Sequence, residues 1–136
     1  MKLFSLIIVL FVSSKCFQNE VLLKVEYKAE TRGALKNITV TKNDCIYKTL
    51  SKSDEFKTST EDWQTITKLV KGLNLEILKN LEAPSSKSHI DAAMQASITI
   101  TFEEKIIESA NFDDGNPPEE LKKLVEKLLE ITTKSE

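Results

Sequence analysis

At 136 residues, with 19 basic against 21 acidic side chains and a formal net charge of −2, the chain has room for one ordinary domain. No excess of positive charge is available, which excludes the electrostatic footprint of a nucleic-acid binder or of a protein held to an anionic membrane. With three glycines and one histidine there is neither a phosphate-cradling glycine loop nor a histidine pair for a metal.

Lys2 gives a short positive start, Leu3 to Val12 is an almost unbroken apolar run, and Ser13 and Ser14 follow before the first polar stretch. That is the layout of a secretory signal peptide. The run is half the about 20 residues that a membrane-spanning helix needs. We expect residues 1–17 to be a signal peptide, cut between Ser14 and Gln18, and 18–136 to form a single domain of a secreted or periplasmic protein. A lipid-anchoring cysteine wants small residues directly before it, and Lys15 stands before Cys16, so no lipid anchor is expected. The mature part then carries 17 basic and 21 acidic residues, a net charge of −4, and no integral membrane segment. Cys45 is its one cysteine, so the core must hold without an internal disulfide.

Val21, Leu23, Val25, Tyr27 and Ala29 alternate with Lys24, Glu26 and Lys28, the period of a strand with one face on a core. Gly33 marks a turn, and Ile38 and Val40 continue the alternation in a second strand. Asn43-Asp44 makes a turn, and Cys45, Ile46 and Tyr47 predict a third strand, giving an antiparallel meander. Ser59 with Asp62 resembles a helix-capping pair, and Trp63, Ile66, Leu69, Val70 and Leu73 follow at helical spacing until Gly72 interrupts. Leu75, Ile77, Leu78 and Leu81 form a short apolar segment of undecided type, and Pro84-Ser85-Ser86 is a loop.

Met94, Ala96, Ile98, Ile100 and Phe102 alternate with polar residues in the clearest strand, and after Glu103-Glu104 the chain returns through Ile106, Ile107, Ala110 and Phe112. A two-residue loop would set Ile98 against Ser109 and Ala96 against Asn111, apolar against polar. Slipping the pairing by one moves every partner to the other face. A three-residue loop pairs Ile98 or Ala96 with Ala110 instead and is the register expected, with Glu108 at the rim of the apolar face. In the last element Asn116 stands where a cap belongs, Pro117 at the first helical position and Glu119 where it completes a capping pattern. Leu121, Leu124, Val125, Leu128 and Leu129 form its stripe. The order β-β-β-α-β-β-α predicts an α+β fold, an antiparallel sheet of about five strands with the helices on one face.

No catalytic constellation, metal set or cofactor motif emerges, so a non-enzymatic protein is expected. His89, the sole imidazole, lies in a Ser-rich loop, and nothing near Cys45 in sequence would lower its pKa. Asp113-Asp114-Gly115-Asn116 fails as a calcium loop because its acids are adjacent and a strand precedes it. Asn37-Ile38-Thr39 is a glycosylation sequon, with meaning only in a eukaryotic secretory route. The hairpin brings His89 and Asp91 near Asp113, Asp114 and Asn116 at one end of the sheet. Such polar, loop-borne clusters either bind a partner or merely satisfy the amides of their own turns.

In its order of features the mature chain resembles the emfourin-like proteins, small inhibitors of thermolysin-type metalloproteases. These features are a strand through Tyr27 into the Arg32-Gly33-Ala34 turn, a helix, an Asp91-Ala92-Ala93 lead into a strand, and a returning strand. The nearest local match is FDDGNPPEELKKLV, residues 112–125. The resemblance implies an α+β fold and a binding or inhibitory role with an exported protease or other protein as partner. Candidate binding residues are Arg32, Gly33, His89, Asp91, Asp113, Asp114 and Asn116, with no catalytic residue, cofactor or metal. A second reading, a carrier of a small apolar ligand, would need a cavity between helices and sheet.

Overall fold

The computed structural model describes residues 20–90 and 92–134; the expected signal peptide, its Cys16 and Asp91 lie outside the described residues. The alternation in β1 (Leu22–Thr31) buries Val25, Tyr27 and Ala29 completely, while Lys24, Glu26, Lys28 and Glu30 lie on the other face. A two-residue turn at Arg32-Gly33 leads into β2 (Ala34–Thr41), with Thr31 opposite Ala34. β3 (Asp44–Thr49) and β4 (Ser53–Lys57) continue the meander. After α1 (Thr60–Lys71) and an irregular stretch with 3-10 turns at Leu78–Asn80 and Lys87–Ile90, β5 (Gln95–Phe102) pairs antiparallel with β1. The chain returns along β5 as β6 (Ile106–Glu108) and β7 (Phe112–Asp113), and α2 (Glu119–Thr133) closes the fold. The strand order is β4-β3-β2-β1-β5-β6, with β7 also on β5.

This is the α+β fold expected, an antiparallel sheet with two helices. Ile66 and Val70 of α1, and Leu121, Leu124, Val125, Leu128 and Ile131 of α2, join Val25, Tyr27, Ile38, Val40, Cys45, Ile98 and Ile100 of the sheet in one core. The opposite face carries Asn37, Thr39, Ser97, Thr99 and Thr101, all half-buried, beside the charged residues of β1, with Leu35, Ile46 and Ile106 interspersed, so it is mostly polar.

The helices are tied to each other by charge. Ser59 caps α1 as expected, its hydroxyl accepting from the Asp62 amide at 3.0 Å. The Asp62 carboxylate, 8 % exposed, meets Lys127 of α2 at 2.6 Å and Lys134 at 3.3 Å. Burial alone would raise the pKa of this acid, but hydrogen bonds from Lys127, Ser59 and Lys134 outweigh it and lower the value to about 2.

Three expectations are corrected. Four strands precede α1, because β4 has a single apolar residue, the half-buried Phe56, among charged and polar neighbours. Its charges suit an edge strand and hide the alternation. The hairpin uses a two-residue turn: Phe102 N–H donates to Lys105 O at 2.8 Å, Ile100 faces Ile107, and Glu108 faces Thr99 on the open side. Ile98 therefore does meet Ser109, and Ser109 resolves the mismatch by being buried. Its Oγ accepts from Ile98 N–H at 3.0 Å and donates to Ala110 O at 2.9 Å. One extra residue before Phe112 shifts the register, so that Ala96 meets Phe112, apolar on apolar.

The third correction concerns α2, which begins at Glu119 after an extended Pro118 (φ −52°, ψ 148°) with no side-chain cap. A residue before proline is pushed out of the α region, so Pro117 cannot open the helix ahead of Pro118. Asn116 is thereby released from capping.

Candidate functional site at one end of the sheet

Antiparallel register brings the Arg32-Gly33 turn, the start of β5 and the end of β7 to one end of the sheet, since Glu30 faces Gln95 and Gln95 faces Asp113. The β3–β4 turn around Leu50 lies at the same end, because Lys36 faces both Ala29 and Thr49.

Two adjacent carboxylates brace these loops in different directions. Asp113, 1 % exposed, accepts from the Ser85 hydroxyl at 2.5 Å and from the amides of Lys87 and Ser88 at 2.7 and 2.9 Å. The Ser85 hydroxyl, then Ser88 and the two amides, hold its carboxyl far below the usual range. Asp114 accepts from the Tyr27 hydroxyl and from the Lys36 ammonium, whose nitrogen lies 2.9 and 2.8 Å from its two oxygens. Burial pushes the Tyr27 phenol well above its ordinary value, and the hydrogen bond and charge of Asp114 add to this. Lys36 also lies 5.8 Å from the Tyr27 ring centroid.

The turn between these carboxylates and α2 is fixed as well. Asn116 N–H donates to Asp113 O at 2.9 Å, with Gly115 at φ 85°, a conformation in which a side chain would be strained. The Asn116 amide donates to Ser85 Oγ at 2.9 Å.

The sequence-derived candidates thus separate into two groups. Asp113, Asp114 and Asn116 come together with the 85–88 loop and spend their hydrogen bonds within the fold. Arg32, Gly33 and His89 are exposed at the same end, and His89 sits beside Ile90, which is 78 % exposed. Asp91 lies outside the described residues. Sequence reasoning missed Tyr27, Lys36, Ser85 and Ile90. A signal existed for Lys36: it falls at an inward position of β2, two residues before Ile38, where an ammonium needs a carboxylate.

Cys45 is fully buried, and burial followed by the charge of Asp62 pushes its thiol up to about 12. Among the described residues no three His, Cys, Asp or Glu side chains form a group able to hold a metal ion. No helix among them is long and apolar enough to cross a membrane. Comparison with protein-family models finds no match, and comparisons with curated proteins and with solved structures find none either.

Proposed function

We propose that the protein is an exported protein-binding module that acts by presenting the loop end of its sheet, without covalent chemistry of its own. The observation that carries this reading is the double brace. Asp113 fixes the 85–90 loop and Asp114 fixes the 111–117 loop to Tyr27 and Lys36, leaving Arg32, His89 and Ile90 exposed around them. Loops already ordered lose less entropy on binding, and an exposed side chain on a rigid support is the kind of anchor that fills a partner's pocket. The space between helices and sheet, where an apolar ligand would sit, is filled by Tyr27, Ile38, Leu124 and Leu128, each 1 % exposed or less, which favours the surface over a carrier.

The partner proposed is an exported protease, in keeping with the similarity to emfourin-like inhibitors of thermolysin-type metalloproteases. The test is titration of such a protease with the purified protein. Inhibition is expected, weakened about tenfold by Ile90→Asp or Arg32→Glu, as lost anchor contacts do, and unchanged by Cys45→Ser. No inhibition would remove the protease as partner, and full inhibition by both loop variants would remove the loop end as the surface.

A further inference from the structure

The two edges of the sheet are not equally protected. The outer edge strand β4 carries Asp54, Glu55 and Lys57, charges that discourage pairing with another chain. The edge strand β6 reads Ile106-Ile107-Glu108, with Ile106 70 % exposed.

In an antiparallel ladder, facing residues alternate between pairs that exchange hydrogen bonds and pairs that do not. Phe102 N–H donates to Lys105 O, and Ser109 N–H donates to Ile98 O. The intervening bonded pair is therefore Ile100 with Ile107, and the amides and carbonyls of Ile106 and Glu108 point away from β5. The next outward donor in this row, Ala110 N–H, is already taken by Leu78 O at 2.7 Å. The chain thus supplies the first rung of a further strand and then stops. Beyond it lies a hollow of about 550 Å³, lined by Lys79, Ile106, Glu108, Ser109, Ala110 and Asn111. Lys79 forms no ion pair among the described residues.

We infer that the β6 edge is a second binding surface, which takes an extended, acidic peptide segment of a partner protein by strand addition. The outward groups of Ile106 and Glu108 pair with the peptide backbone, and Lys79 receives a carboxylate from a side chain seated in the hollow. A second copy of this chain fits less well. Twofold pairing centred on Ile107 would join only three residues a side, far short of the ~1,600 Å² of a stable interface.

The probe is a library of random linear octapeptides presented to the immobilised exported protein, with recovered peptides resynthesised. Recovered sequences should carry Asp or Glu toward one end and slow amide hydrogen exchange at Ile106 and Glu108. Glu108→Pro removes one outward donor and leaves the bonds to β5 in place, since proline is tolerated where an edge N–H faces solvent. It should weaken binding about tenfold, as should Lys79→Glu. If Glu108→Pro does not fold, N-methylation of the peptide decides instead: alternate positions should abolish binding and the intervening ones should not. Unchanged exchange at both amides, equal binding by Glu108→Pro, or no recovered peptide would overturn the inference. So would a concentration-dependent dimer that Glu108→Pro abolishes, because the occupant would then be a second copy.

Discussion

Asp114→Ala isolates the brace between the last loop and the sheet. The Tyr27 side chain is fully buried, and the Asp114 carboxylate is the acceptor of its hydroxyl. Deleting that acceptor strands a buried O–H at about 1–3 kcal/mol. Lys36 loses its partner too, but its side chain is 23 % exposed and can turn to water, so this part adds only ~0.5–1 kcal/mol. The expected total is ~1.5–4 kcal/mol. Tyr27→Phe should cost less, about 1 kcal/mol, because it removes the hydroxyl together with its need and leaves Asp114 on Lys36. In the double variant no stranded hydroxyl remains, so the two costs should fall short of adding by about 1–2 kcal/mol. Urea unfolding followed by Trp63 fluorescence measures all three variants. A loss under about 1 kcal/mol for Asp114→Ala, or strict additivity in the double variant, would show that the hydroxyl is satisfied elsewhere and that the brace is not one.

Leu124→Ala and Leu128→Ala should each cost about 2–5 kcal/mol in the same assay, since both leucines are 1 % exposed or less; a loss below about 1 kcal/mol would mean that α2 is not docked on the sheet. Asp62 has a folded pKa of about 2, below its ordinary 3.8, so its contribution is present above that ordinary value and is lost as pH falls toward 2. Allowing for solvent screening around Lys134, the loss should be ~1–2 kcal/mol, and Asp62→Asn should flatten this acid limb of the stability curve by that amount.

Much of the fold was legible because one rule governs most of it. Period-two runs in β1, β2 and β5 each fill one face of the core, and the stripe of α2 does the same at helical period. The rule fails where burial is thin. The β4 strand shows one apolar residue, the half-buried Phe56, because an edge strand has little to bury. The segment around Leu78 has four apolar residues and no period, since it packs as an irregular cover with a single 3-10 turn. The start of α2 was misplaced because two local preferences compete there: proline suits a first helical position, but a second proline forbids it to the first.

The return strand was misread, and the loop end left undecided, for one shared reason. Each depends on a polar side chain whose partner lies far away in sequence, and alternation counts only apolar positions. Ser109 looked like an error in the register because a serine was set against Ile98, yet it is buried to replace a backbone acceptor at the point where the ladder breaks. Its carbonyl no longer serves Ile98, Ala110 turns to Leu78, and the extra residue carries Phe112 back to the core face. Asp113 and Asp114 looked like one polar patch because they are adjacent. The Gly115 turn aims one carboxylate at the 85–88 amides and the other at Tyr27 and Lys36, residues 87 and 78 positions away from it. On the proposed reading, carboxylates tied that firmly hold the loops still and are not themselves contacts, so the surface to test is the one these acids leave exposed: Arg32, His89 and Ile90.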